Sequence, residues 1–335
     1  MAKDQNGNKS ITEIMKDLNK KFGYTAMDMA GGIKERPRIV FKQKKLNELT
    51  KGGIPRGQFT TIWGSSSSGK TSTVLDVIAE AQAQGLTCLY CDLEHSYSPS
   101  YAAKHGVDTS KLIYGSFVGA EDSMDAIIAF TKNKVVDLVI VDSIQGLSPI
   151  GEQEEKSGKE KSTADDTMAL LARKLSQFFR MSAGHVSAAN TAVIMIGQAR
   201  MDLGAFIKLE KLSGGNALLH WSSLIIHMRR GQKADAPTIE QVNAETGKKE
   251  NVIVGFNCVI KIDKSKIEGA CEGDEMSLPF YFQHGLTDGE APAIQTTEEK
   301  PEDKPLDNSG PCEDARDVIL PEAPKKRGRK PKVQK

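Results

Sequence analysis

Short runs that are apolar at nearly every position alternate along this chain with stretches whose apolar residues recur every three or four positions. The opening of Phe59–Ser72, then Leu86–Asp92, Val135–Asp142 (VVDLVIVD) and Ala192–Gly197 are of the first kind, which predicts strands covered on both faces. Val74, Ile78 and Ala81, with Leu75 beside them, keep the spacing of one helical face, and Gly85 supplies a stop. Met124, Ile127, Ile128 and Thr131 mark a second helix over Asp122–Thr131, and Met168, Leu171, Leu175 and Phe178 mark a third. Such alternation predicts an α/β core with a mostly parallel central sheet and helices on both faces. Beyond it, Ser222–Met228, Ile253–Asp263 and Met276–Gln283 read as strands without long helices between them. They extend the sheet with antiparallel strands, and polar Lys233–Lys249 reads as a hairpin end.

The flanks differ. Ile11, Ile14, Met15 and Leu18 form a short helical stripe with Ser10 as N-cap, followed by AMDM, read as a strand. Residues 1–34 are too few to own a core, so they must dock on the body or on a neighbouring subunit. The core is assigned to 35–288. Within it Glu152–Asp166 is charged and aperiodic, and so is the segment after Gln198; both read as mobile loops, 152–167 and 199–215, at successive strand ends. From Thr287 onward Pro, Glu, Asp and Lys dominate, which predicts disorder.

Charge sharpens this division. The chain of 335 residues has a formal net charge of +1. Residues 289–324 form an acidic Pro-rich linker, net −7 from Glu290 on, and 325–335 a basic tail, net +7, so the remainder is nearly neutral. No apolar run approaches the roughly 18 residues of a membrane span. The N-terminus lacks the apolar segment of a secretory signal, so the expectation is a soluble cytosolic protein with no membrane partner. Five cysteines argue against a disulfide framework. Cys88 and Cys91 lie three apart in a strand, hence on opposite faces, and read as core rather than as a metal or redox pair.

The chemistry concentrates in Gly64-Ser65-Ser66-Ser67-Ser68-Gly69-Lys70-Thr71-Ser72, the G-x-x-x-x-G-K-[ST] spacing of a phosphate-binding loop between a strand and a helix. The glycines let the backbone turn and approach a ligand, and the amides and the helix N-terminus favour an anion. Lys70 can reach the β- and γ-phosphates of ATP, and the Thr71 hydroxyl can hold Mg²⁺. Asp142, at the carboxyl end of a buried strand, is placed to bind the same Mg²⁺ through water.

Five segments together resemble the RecA-type recombination ATPases, of the compact UvsX-like sort that bacteriophages also carry. They are GGIPRGQ, GSSSSGKT, YCDLEHSYSPSYAAKHGVD, VIVDS, and IGQARMDLG running on to SGGNALLH, and the resemblance covers about residues 10–288. It implies a RecA-like core and assigns roles by position. Glu94 would activate the attacking water, Tyr101 would stack on adenine, and Gln198 would sense the γ-phosphate. Lys264 and Lys266 would reach the γ-phosphate of a neighbouring subunit. The two loops would bind DNA: Met168 and Leu203 inserted between bases, with Arg173, Ser176, Arg180, Arg200, Gly214, Gly215 and Asn216 on the backbone. Ser98 and His220 depart from the acid and the aromatic usual in bacterial relatives. Arg327-Gly328-Arg329-Lys330-Pro331 in the tail resembles an AT-hook.

The reading is a DNA-dependent ATPase that polymerises on single-stranded DNA, pairs it with homologous duplex, and serves recombination and repair in the host cytosol or nucleoid. The implied partners are single- and double-stranded DNA, further copies of itself, and single-strand-binding or mediator proteins. The rival readings are a hexameric DNA helicase of the same fold and a non-catalytic ATP-binding DNA-organising protein.

Overall fold

A computed structural model describes residues 9–23, 25–30, 35–148, 170–201, 210–212, 216–242 and 248–289, with only the backbone of Arg200, Met201 and Val242. In chain order the first half holds α1 (Ile11–Phe22), β1 (Arg38–Ile39), α2 (Lys44–Leu49), β2 (Ile54–Pro55), β3 (Phe59–Gly64), α3 (Lys70–Ala83), β4 (Cys88–Asp92), α4 (Pro99–Lys104), β5 (Ile113–Ser116), α5 (Ala120–Lys132) and β6 (Leu138–Asp142). The second half holds α6 (Leu170–Ala189), β7 (Ala192–Met201), β8 (Glu210–Leu212), α7 (Asn216–Trp221), β9 (Ser222–Arg230), β10 (Thr238–Val242), β11 (Lys249–Ile253), β12 (Gly255–Ser265), β13 (Glu275–Tyr281) and β14 (Gly285–Leu286).

One sheet organises these elements, in the order β14-β13-β12-β9-β3-β7-β6-β4-β5. The pairs from β9 through β3, β7, β6 and β4 to β5 are parallel, whereas β9–β12, β12–β13 and β13–β14 are antiparallel. The expected sheet, parallel at its centre and extended by antiparallel strands, is therefore present. At the expected hairpin end, Lys233–Lys249, β10 and β11 pair as an antiparallel two-stranded sheet of their own, which takes in Ile253.

Two cores lie on opposite faces. Val74, Leu75, Ile78 and Ala81 of α3 pack with Ile62, Cys88, Ile140, Ile194 and Ile226. On the other face Met124 and Ile127 of α5 and Leu175, Phe178 and Phe179 of α6 pack with Phe59, Cys91, Val139 and Val193. Cys88 and Cys91 thus face different cores, as their spacing requires. Truncating a fully buried residue such as Ile62 would cost about 2–5 kcal/mol, the range for core Ile→Ala.

The structure departs from the sequence reading at element ends. β6 starts at Leu138 because Asp137 is held at its entry, its carboxylate accepting from Thr87 N at 3.0 Å and pairing with Arg56. β7 continues past Gly197, and β8 folds back on it, pairing Ala199 with Leu212 and Met201 with Glu210. The two ends of the 199–215 segment are therefore a ladder rather than a structureless loop. Leu212 reaches over Gly197, where a Cβ would lie 2.6 Å from Leu212 Cδ1, and packs against the second core. Residues 26–29, expected as a strand, have no strand partner among the described residues. Asn19 gathers them instead, donating to Met27 O at 2.7 Å and accepting from Ala26 N and Met27 N at 2.8 Å. α1 itself is present, capped by a reciprocal Ser10–Glu13 pair and ended by Gly23 at φ 75°. The first loop, the region from 290 on and the basic tail lie outside the described residues.

Candidate active site

β3 ends in the phosphate-binding loop and α3 begins inside it, so strand, loop and helix are one continuous device. Gly64 is required by its neighbour: at φ 153° a Cβ would lie 1.8 Å from Met228 O on β9, its register partner. Gly69, at φ 95°, is the N-cap of α3 and admits no side chain without striking Phe280. Lys70 is buried, and its Nζ donates to Ser65 O at 2.6 Å and Gly64 O at 3.1 Å. Burial pushes the Lys70 ammonium below its ordinary range, opposed by the charges of Asp142 and Glu94.

The ends of β6 and β4 face this loop. Asp142 Oδ2 accepts from Thr71 Oγ1 at 3.0 Å and from Tyr90 OH at 2.7 Å. Burial raises the Asp142 carboxyl above the usual range, the two hydroxyls oppose it, and Glu94 and Asp92 add to it. A buried carboxylate without an ion-pair partner among the described residues, beside a hydroxyl, is a hard-oxygen pair that suits Mg²⁺. Asp92 is committed elsewhere, accepting from Ser96 N, Tyr97 N and Tyr114 OH.

Glu94 follows β4 and is exposed. Its Oε1 accepts from Gln198 Nε2 at 2.7 Å and from the Ser143 hydroxyl. Gln198 is itself clamped: Gln145, in the turn after β6, accepts from Gln198 N at 2.9 Å and donates to Gln198 O at 3.4 Å. The ladder between β6 and β7 stops at Val141–Met195, so the Gln145 amide adds a rung where β6 has turned away. The sequence reading gave no role to Ser143 or Gln145.

Tyr101 projects from α4. Its hydroxyl lies 2.6 Å from Ser72 Oγ, and its ring meets the edge of His105 at 4.8 Å. Ser98 caps α4, accepting from Tyr101 N at 3.3 Å, which gives that departing residue a structural task. Tyr101, Lys70 and Thr71 line a cleft of about 340 Å³ together with Arg230, Phe256 and Phe280. Arg230 donates to Ser67 O at 2.8 Å and lies 4.4 Å from the Phe256 ring. These last three come from antiparallel strands distant in sequence and carry no spacing signal.

The residues assigned to DNA are only partly described. Arg173, Ser176 and Arg180 share one face of α6, opposite buried Leu175, Phe178 and Phe179; Arg180 donates to Ser176 Oγ at 3.0 Å. Asn216 opens α7 and is exposed. The Arg200 backbone pairs with Lys211. Met168, Leu203, Gly214 and Gly215 lie outside the described residues. Lys264, near the end of β12, donates to His220 O at 3.4 Å and to Leu219 O, the carboxyl end of α7. Burial and the adjacent Lys266 charge push its ammonium down. Lys266 anchors the same strand, its N donating to Ser223 O at 2.7 Å.

A phosphate loop at the head of a parallel sheet, an acid at the adjacent strand end and a clamped glutamine leading into a return strand describe a nucleotide-hydrolysing core. Residues 9–281 match the RecA N-terminal domain, which is most of the chain, and the protein belongs to the RecA family of recombination ATPases.

Proposed function

We propose that this protein is an ATP-dependent recombinase that forms helical filaments on single-stranded DNA and catalyses pairing and strand exchange with a homologous duplex. One observation carries the reading: the Glu94–Gln198 hydrogen bond at 2.7 Å. It joins the carboxylate beside the phosphate loop to the root of the segment assigned to DNA. An ATPase whose rate answers to DNA needs such a junction.

Each residue then has a task. The loop amides and Lys70 bind the phosphates, and an anion beside the buried Lys70 ammonium offsets the burial that pushes it down. Thr71 and Asp142 would hold Mg²⁺, which when bound neutralises phosphate charge. Glu94 orients a water and takes its proton; among the described residues both of its hydrogen bonds fall on Oε1, which leaves Oε2 for that water. Tyr101 offers a ring to the base, and Arg230, Phe256 and Phe280 close the cleft around the nucleotide. Arg173 and Arg180 neutralise DNA phosphate without reading sequence. Lys264 and Lys266 reach a neighbouring subunit's nucleotide, and α1, with exposed Ile11, Ile14 and Phe22, docks on the next subunit.

Electron microscopy with single-stranded DNA and a slowly hydrolysed ATP analogue tests this. Open helical filaments are the expected result. Closed six-membered rings would make the protein a motor of the same fold, and failure to assemble would remove the polymer altogether.

A further inference from the structure

We infer that His227 is a positioning residue that ties the return strand of the second loop to the phosphate-binding loop and to the Lys264 edge. This rests on the function proposed above and names a second contact, besides Glu94–Gln198, through which DNA on that loop is felt at the nucleotide.

Three contacts converge on one place. Trp63 immediately precedes Gly64, and His227 is its register partner on β9. Their rings are stacked, 3.9 Å between centroids and 7° between planes. His227 Nε2 lies 3.2 Å from Glu210 Oε2. Glu210 belongs to β8, the strand that returns from the second loop and pairs with Met201. On its far edge Trp63 Nε1 donates to Asp263 Oδ2 at 2.9 Å, and Asp263 directly precedes Lys264. A single chain of side chains thus runs from the loop, through His227 and the residue before the phosphate loop, to the Lys264 pair.

The two halves of this chain differ in stiffness. Trp63 is buried between β3 neighbours on both sides, and its stack holds the imidazole plane fixed. The outer link is a partly buried contact that solvent still reaches, with the His227 side chain 14% and Glu210 32% exposed. Donation to Glu210 puts the imidazole proton on Nε2. A bond of this kind can be made or released by a small shift of β8, while the stacked ring passes the change to Trp63. Glu210 also acts at longer range, since its charge helps to hold up the Lys70 ammonium against burial.

His227→Phe keeps a ring against Trp63 and removes the donor to Glu210; Glu210→Ala removes the other end. At saturating single-stranded DNA, each should lose about fivefold or more of the DNA stimulation of ATPase, the lower end of ordinary coupling between sites. His227→Phe should leave the basal rate and the KM for ATP unchanged. The double variant should be no worse than Glu210→Ala alone, because His227→Phe removes nothing that Glu210→Ala has not already removed. A second readout needs no change at His227. In a Trp221→Phe background Trp63 is the sole tryptophan, and single-stranded DNA should shift its emission in the parent and not in Glu210→Ala. Parental stimulation of His227→Phe, losses that multiply in the double variant, or Trp63 emission indifferent to DNA would each overturn the link. A parent whose ATPase ignores DNA would sink the function and the link together; a stimulated parent beside an equally stimulated His227→Phe sinks the link alone.

Discussion

Glu94 Oε1 receives the Gln198 amide at 2.7 Å although their strands, β4 and β7, are not neighbours in the sheet. β6 lies between them, and its end supplies both supports: Ser143 donates to Glu94, and Gln145 clamps the Gln198 backbone. The carboxylate cannot move without disturbing the residue that opens the second loop.

Glu94→Gln should retain ATP and DNA binding and lose hydrolysis by about 10² to 10⁴, the usual worth of general-base assistance. The amide still accepts from Ser143 and can meet Gln198, so the geometry survives while basicity does not. Single-turnover phosphate release beside nucleotide affinity measures both. A variant turning over near the parental rate would exclude Glu94 as the base.

Lys264→Ala should lower ATPase by about 10²-fold, the scale for losing one charge-stabilising donor at a reacting phosphate, and impair filament formation on DNA. Monomer folding and nucleotide binding by the single subunit should persist, since among the described residues Lys264 hydrogen-bonds to the Leu219 and His220 carbonyls and not to the phosphate loop. Mixed with Lys70→Ala, it should regain activity in filaments where the intact lysines face one another. Absence of complementation, with direct loss of ATP binding by Lys264→Ala monomers, would place the site within one subunit.

The thiols give a check on the two cores. Burial pushes Cys88, Cys91 and Cys258 up to about 12, so at pH 8 about one in 10⁴ of each is thiolate. Cys271 is exposed. Brief native alkylation followed by peptide mass spectrometry should label Cys271 and spare those three; rapid labelling of Cys88 or Cys91 would refute their opposed burial. Cys312, outside the described residues, is scored separately.

Deleting 325–335 should weaken duplex capture by filaments and flatten its salt dependence, because seven bases leave and fewer counterions are released. ATPase on single-stranded DNA should hardly change. Equal capture across a salt series would make the tail a contact for something other than DNA.

Local physics made much of this protein legible in its sequence. Period marked β3, β4, β6 and β7, since a strand covered on both faces must be apolar at successive positions, as Leu138–Val141 are; it missed the edge strand β5, whose four residues are alternately exposed. Spacing alone marked the phosphate loop, because a tight anion nest demands glycine where Gly64 meets Met228 O. It also sent Cys88 and Cys91 to different cores. Tertiary structure decided what crosses between distant segments. The Gln145 rung, the Ser143 bond, the Arg230–Phe256–Phe280 wall and the Trp63–His227 stack all join residues far apart in sequence, so no local period announces them. The return of β8 onto β7 was hidden for the same reason: three residues carry too little pattern, and only Leu212 finding room above Gly197 fixes the ladder.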